Sequence, residues 1–377
     1  MSAILRFFIF LVLLVALALG GLRLHFGGGQ SYPKLAGTPA VAESGLETVL
    51  AYHEPVGNVA VSSTGRLFFT AHPEGRPSGP RLLEWRNGIA EPFPAADIQA
   101  AVFDTPLGLV IDRQDRLWVI DPASHGFGRP RVVAIDLGTG NIVHEHVFPR
   151  DIAPRGSFLQ DLQVDPSGRM VYIADASFWR KSPALIVYDT ATRRSRRVLE
   201  RHASVRAQDW IITTPMREMT FIGGLIPMKI GLDGIAMDPA GQWLFFGAMN
   251  HDTLHRIPTS ALMNHELSEN ALAERIEPLG KKPLSDGLSA DLAGNVYVTD
   301  VETGSVLRMA PGGELATIVR SPRIRWADGL SFGPNGWLYL SDSGLPEVLL
   351  KTRGHIRDHG PYHVYRFRPG TNGVPGQ

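Results

Sequence analysis

Cysteine is missing from all 377 residues. Its absence removes disulfide staples, thiol nucleophiles, thiolate zinc sites and cysteine-ligated clusters from consideration. Charge of one predominant sign is missing too: lysine plus arginine number 37, and so do aspartate plus glutamate. With no long basic block the chain carries no electrostatic footprint for nucleic acid. There is no G-x-S-x-G elbow and no phosphate-binding glycine loop, and "HELSE" at His265 lacks the second histidine of a zinc-protease helix. A chain of this size can bury a core large enough to do without covalent staples.

Turns, by contrast, are abundant. Glycine at 40 and proline at 28, without a collagen-like period, point to an all-β chain with many tight connections. The N-terminus places Arg6 before an apolar run from Phe7 to Leu22, shorter than the roughly twenty residues of a full membrane span. Ala16 to Ala18 offers a small-x-small cleavage site, and Arg23 suits an uncleaved anchor equally well. Residues 1–30 therefore read as a signal peptide or anchor and 31–45 as a linker. Either fate puts the remainder outside the cytoplasm, as a secreted, periplasmic or membrane-anchored domain, and confines membrane contact to the N-terminal segment.

One phrase recurs along the rest of the chain. "LSDGLSADLAGNVYVTD" (Leu284 to Asp300) returns as "WADGLSFGPNGWLYLSD" (Trp326 to Asp342) and is preceded by related phrases beginning at Val56, Pro106, Leu159 and Leu232. Each alternates apolar with small or polar residues, breaks at a turn such as Asp165-Pro166-Ser167-Gly168, and resumes as an aromatic-rich alternating run. That is a tight hairpin of two short strands. The gaps between copies hold two further strands each, so six copies predict a six-bladed β-propeller over 46–369 with a C-terminal tail at 370–377. The runs "LETVLAYHE" (Leu46 to Glu54) and "PYHVYRFRP" (Pro361 to Pro369) are expected to share the blade that closes the ring. The long apolar gap from His202 to Gly231, with Trp210 in it, reads as a cap over one mouth of the central channel.

If the first strand of each copy is innermost, the residues at its entry face the axis: Gly57, Leu107, Gln160, Asp233, Asp286 and Asp328, with Asn58 and Asp161 one step further on. Carboxylates converging there repel by about 1 kcal/mol in water at 4 Å and about 4 at an effective dielectric of 20. A cation, a shared proton or wide spacing must relieve that, and oxygen-only ligands suit calcium or magnesium. The competing reading is that Asp-Gly is simply a good strand-entry turn. It is helped by Asp121, Asp175, Asp300 and Asp342, which end second strands where capping suffices as a reason. His144 and His146 share a face of what should be a solvated outer strand. His355, His359 and His363 have helical spacing that Gly354, Gly360 and Pro361 are expected to forbid.

The ordered phrases "VIDRQDRLWVID", "LQDLQVDPSGRMVYIAD", "LDGIAMDPAGQWLFFGAMNHDTLHRIPTSAL", "KPLSDGLSADLAGNVYVTDVE" and "WADGLSFGPNGWLYLSD" resemble the Yellow and major royal jelly protein family. The resemblance implies a six-bladed propeller, with roles ranging from dopachrome conversion through binding of biogenic amines to no catalysis. The chain is more distantly similar to the gluconolactonase and senescence marker protein family, calcium-dependent lactonases on the same propeller. That likeness implies that Asp286 takes the place of a catalytic, metal-binding aspartate, that Asp233 replaces a ligating asparagine, and that Gln160 or Asp161 contacts substrate. Gly57, with Asn58 beside it, stands where that family has a glutamate ligand. The expectation is an exported propeller binding a small polar organic ligand in its channel, with Asn58, Gln160, Asp161, Asp328 and Trp210 around it and isomerase or hydrolase chemistry centred on Asp286. A lactonase holding Ca2+ on Asp233 and Asp286, and a protein-interaction scaffold, are the alternatives.

Overall fold

The repeated phrase folds alike in most of its copies because its turn is closed by its own aspartate. In the computed structural model, which describes residues 3–377, Asp165 Oδ1 accepts the N–H groups of Arg169 at 2.7 Å and Met170 at 2.8 Å. Asp291 Oδ1 accepts those of Ala293 and Asn295, both at 2.9 Å. A side chain folded over the turn in this way fixes the register of the strands on either side.

Each hairpin supplies the two inner strands of a four-stranded antiparallel sheet, and there are six such sheets. Their innermost strands are Val56–Val61 (blade 1), Leu109–Ile111 (blade 2), Leu159–Val164 (blade 3), Leu232–Met237 (blade 4), Leu288–Ala290 (blade 5) and Ala327–Phe332 (blade 6). Each lies beside its neighbours in a closed circle, the last against the first. Blade 6 takes three strands from the end of the domain and its outermost strand, Glu47–Tyr52, from the beginning, paired antiparallel with Tyr362–Phe367. No blade edge is left open at the join.

Apolar side chains fill the wedges between blades. Tyr172, Leu185 and Val187 of blade 3, for example, meet Leu232, Ile235, Leu244 and Phe246 of blade 4. The aspartates that end second strands are buried and serve as clamps. Asp121 accepts the N–H groups of Asp104, Thr105 and Ala123, Asp175 that of Phe158, and Asp342 those of Arg325 and Trp326. Most of these N–H groups lie where the chain enters the inner strand of the same blade, so the capping reading holds for these residues.

Near the axis the inner strands approach more closely than a side chain allows. A Cβ on Gly287 would lie 2.2 Å from the carbonyl oxygen of Asp328, and one on Gly108 or Gly234 would lie 2.4 Å from that of Gln160 or Asp286. The glycine of each Asp-Gly pair is therefore a spacing requirement of the ring. At the opposite end of the channel residues 372–377 fill the lower mouth. Gly376 N–H donates to Phe332 O (2.8 Å) and Gly376 O accepts from Ile111 N–H (2.8 Å), while Gln377 O accepts from Phe332 N–H (2.9 Å) and Ser289 Oγ (3.0 Å).

At the N-terminus an apolar helix, Ala3–Phe26, projects from the propeller with only Phe26 buried. The following residues run as an ordered strap: Gln30–Ser31 pairs in parallel with Trp210–Ile211, and Val41 N–H donates to Ile318 O at 2.8 Å. Gly287→Ala should lower stability by about 1–3 kcal/mol through forced separation of blades 5 and 6. Gly79→Ala, where nothing lies within 4 Å of the added carbon, should be near neutral. Thermal unfolding of the two variants side by side checks the spacing argument, and equal midpoints would contradict it.

Candidate functional site

Irregular strand entries build the centre. In four blades the pairing register slips at the start of the inner strand: between Val56 and Val59, Leu159 and Asp161, Leu232 and Gly234, and Ala327 and Leu330. A bulge there breaks the in-out alternation and re-aims a side chain. Backbone N–H groups at the entries of blades 1, 5 and 6 are met by hydroxyls one position before the end of the second strand. Thr70 Oγ1 accepts from Asn58 N–H (3.0 Å), Thr299 Oγ1 from Asp286 and Gly287 (3.0 and 3.1 Å), and Ser341 Oγ from Gly329 (2.9 Å). The side chains turned inward are Asn58, Leu107, Gln160, Asp161, Asp233, Asp286 and Asp328, which share a void of about 10 Å³, close to the size of one water.

The four carboxyls cannot all be charged in so small a space. Burial raises Asp286 to about 6, against the pull of a 2.7 Å hydrogen bond from the Trp326 indole N–H. Asp161 keeps partial contact with the channel and is raised to about 7, again first by burial. Asp233 and Asp328 are pushed well above the carboxylate range by burial and then by the charge of Asp286. Behind Asp233 stands Lys282, fully enclosed, its Nζ donating to Pro283 O (3.1 Å) and Ser285 Oγ (2.9 Å). Burial brings its ammonium down to about 7, opposed by Asp233.

Above the ring opens a cavity of about 350 Å³ whose floor is Gln160 and Asp286. Its walls are apolar, with Phe158, Phe178, Trp179, Phe221, Met228 and Leu345 prominent, and no lysine or arginine lines it. One side is polar. His72 Nδ1 accepts the N–H of Glu74 at 3.1 Å, which leaves its Nε2–H facing Asp328 at 3.8 Å. Burial lowers His72 to about 4, so its imidazole is neutral. Burial would raise Glu74, but its 2.8 Å contact with His125 outweighs that and holds the carboxyl below its ordinary value.

Comparison with known proteins agrees with this architecture. The sequence profile of the major royal jelly protein family matches residues 105–320. The chain belongs to that family. Major royal jelly protein 2 of Apis mellifera is 26% identical over 218 residues, a stretch covering 52% of this chain and 45% of that protein. Major royal jelly protein 3 of the same bee is 24% identical over 215 residues, covering 52% and 38%. The chain thus spans less than half the length of these curated relatives. Among solved structures, a gluconolactonase from Xanthomonas campestris superposes with a TM-score of 0.55 at 14% identity, covering 90% of this chain and 98% of that one. A calcium-binding protein, regucalcin, from Agrobacterium tumefaciens gives 0.54 at 13%, covering 88% and 96%. At such identities these likenesses speak for the six-bladed fold.

Within this royal jelly family propeller the channel brings together Asn58, Gln160, Asp161, Asp233, Asp286 and Asp328, and leaves Trp210 out. Trp210 packs edge-on against Tyr32 with ring centres 4.9 Å apart and donates its indole N–H to Gln208 at 2.6 Å, under the N-terminal strap. The His202 to Gly231 segment divides accordingly: its first half is strap platform, and only Phe221, Ile222, Ile226, Met228 and Ile230 reach the cavity. Two histidine expectations also change. Arg353–Asp358 forms a short helix despite Gly354, capped by Thr352, and puts His355 and His359 beside Glu347. It ends before Gly360 and Pro361 and leaves His363 on the strand Tyr362–Phe367, so no helix joins the three histidines. The ligand atoms of Glu347, His355 and His359 lie within 4.8 Å of one another, away from the ring, and the 2.6 Å His355–Glu347 hydrogen bond accounts for the arrangement. His144 bonds Tyr188 at 2.8 Å and His146 stacks on it at 4.4 Å, so both sit between blades rather than in solvent.

Several site residues escaped the sequence reading: His72, Glu74, His125, Phe178, Met249 and Leu345. All follow the second strand of a blade within a few residues. Since that strand runs back toward the entry of the inner one, those positions must rim the same mouth, and this was the signal available. Lys282 had none, because its approach to Asp233 depends on the packing of blades 4 and 5.

As for a metal, the ring offers oxygen donors only, and Asp233 Oδ2 is buried with no hydrogen-bond partner, which fits a hard cation. Among the described residues no three ring carboxylates bring ligand atoms within 4.8 Å of one another, so water would have to complete any coordination.

The raised carboxyls carry a sign for stability. The unfolded chain releases these protons near pH 4 and the folded chain only near 6 or above, so their contribution is present at low pH and is lost as pH rises through 4–7. Asp233→Asn, which removes one such acid at constant shape, should raise the midpoint of thermal unfolding by several degrees at pH 8 and leave it nearly unchanged at pH 4. A uniform shift at both values would refute the assignment.

Proposed function

We propose that this propeller acts outside the cytoplasm as a receptor for a small amphipathic amine, its apolar body in the upper cavity and its cationic nitrogen on Asp286. The observation that carries the reading is the cavity itself: an apolar cup, free of lysine and arginine, whose floor is an acid that ionises near pH 6. An aromatic wall of Phe158, Phe178 and Trp179 adds a favourable face for a cation. Burying an ammonium costs too much unless a carboxylate receives it. The ordered tail in the lower mouth leaves the upper mouth as the route in. Export is supported by the apolar N-terminal helix.

The test is calorimetric titration with 2-phenylethylamine and its neutral isostere 2-phenylethanol. The amine should bind at least about tenfold more tightly, a difference of about 1.4 kcal/mol. It should weaken as pH falls from 7.5 to 5 and Asp286 takes up its proton, and Asp286→Asn should erase the preference. Equal affinity for both compounds would sink the proposal.

A second reading, calcium-dependent hydrolysis of a lactone, is favoured by the orphaned Asp233 Oδ2. Asp233 and Asp286 would hold the ion, which when bound would polarise a carbonyl, and Asp286 would take a proton from water. Position 57 itself has no room for a carboxylate ligand, since a Cβ there would lie 2.8 Å from Thr70 Oγ1, and blade 1 turns only the neutral Asn58 toward the ring. Under the receptor reading, calcium, magnesium and chelator leave the melting midpoint unchanged. A calcium-specific rise that Asp233→Asn abolishes would select the hydrolase instead, since a ligand specific for the native state must stabilise it by mass action.

A further inference from the structure

The apolar helix and the cavity mouth meet at one place. Phe26, the last residue of the 24-residue helix, is buried against Phe178, with ring centres 5.3 Å apart, and lies 6.3 Å from Trp179. Lys181 Nζ sits over both phenylalanine rings, 4.7 Å from Phe26 and 4.3 Å from Phe178. Phe178 and Trp179 line the cavity. Only Gly27 to Gly29 separate the helix from the strand that pairs with Trp210–Ile211, so the helix end cannot drift from the mouth.

At 1.5 Å per residue the helix is about 36 Å long, enough to cross the roughly 30 Å hydrocarbon core of a bilayer. No residue of its most apolar stretch is covered by the propeller. The rim around the mouth is apolar where a soluble domain would be polar: Ile222 is 58% exposed, Trp179 47% and Leu350 78%, all three on the cavity lining. Phe127, two residues from the lining residue His125, is 59% exposed. Exposed apolar side chains gathered at one opening mark a binding surface, and a tryptophan beside lysine and arginine is the composition of a membrane interface. Arg23 at the helix end and Lys181 over the rings supply the cations, whereas Arg180 and Lys229 are paired with Glu200 and Asp209.

We infer that the mouth of the propeller rests on the bilayer in which the Ala3–Phe26 helix is anchored, and that the channel takes its ligand, a lipophilic amine, directly from the membrane. The occupant of the apolar rim is thus the lipid surface. The amine half of the inference rests on the function proposed above, whereas the surface half stands on the helix and rim alone.

The absence of native cysteine permits a direct test on the full chain. Phe127→Cys, Ile222→Cys and, on the opposite face, Leu292→Cys would each be labelled with an environment-sensitive fluorophore in liposomes of phosphatidylethanolamine and phosphatidylglycerol. Emission at positions 127 and 222 should shift to the blue and be quenched by doxyl-labelled lipid, with position 292 unaffected. Quenching no greater at 127 and 222 than at 292 overturns the inference, as does recovery of the chain shortened after Ala18 and free of membranes.

In the same liposomes, dodecylamine should displace 2-phenylethylamine at a concentration at least roughly tenfold lower than butylamine, because the longer chain draws on both bilayer and cup. Rim quenching without that preference overturns membrane delivery while leaving the surface contact in place. Failure of all three amines to bind, with rim quenching intact, falls on the receptor reading and not on the membrane surface.

Discussion

Everything in this molecule depends on how closely six strands can approach one axis. In four of the blades neighbouring inner strands come so near that the residue after the axial side chain, Gly108, Gly234, Gly287 or Gly329, has no room for a Cβ, and on Gly287 the added carbon would lie 2.2 Å from Asp328 O. Glycine at that position lets the ring close and the closed ring buries the residue before it, while bulges at the entries of blades 1, 3, 4 and 6 help to turn side chains inward. Spacing and chemistry are consequently written in the same two letters. The Asp-Gly pair is at once a close contact of the ring and the source of three of its central acids, Asp233, Asp286 and Asp328.

Crowding acids at a dry axis has an electrostatic consequence. Asp233 and Asp328 are pushed toward the neutral form by burial and then by the charge of Asp286, and the enclosed Lys282 behind Asp233 partly compensates the charge that remains. The ring can therefore exist without an ion, yet it keeps an unpartnered oxygen on Asp233. Asp286 differs from its neighbours in reaching both the ring and the upper cavity, and in being drawn back toward ionisation by Trp326. It is the acid that a ligand meets.

The layout also gives the channel a direction. Inner strands begin at the upper mouth, second strands end there, and their onward loops bring His72, His125, Phe178 and Leu345 around the opening. The hairpin turns and the 372–377 segment occupy the other end. With the N-terminal helix leaving beside Phe178 and Trp179, the open end and the anchored end coincide.

Local patterning was enough to determine the number of blades, the hairpin turns, the closing blade and the identity of the axial acids, because each rests on short-range rules: alternation, turn aspartates and glycines, and a strand that must find a partner. The capping role of Asp121, Asp175, Asp300 and Asp342 was legible for the same reason. Tertiary structure alone decided which side chains meet across blades. It moved Trp210 from the ligand to the strap, since the segment holding it splits between two surfaces. It allowed the short helix at Arg353–Asp358, where a Thr352 cap and contacts to Glu347 outweigh the glycine inside it. It placed Lys282 behind Asp233 and Phe26 at the mouth, because contacts between residues far apart in the chain are set by how the blades and the strap pack, and no periodicity in the sequence records that distance.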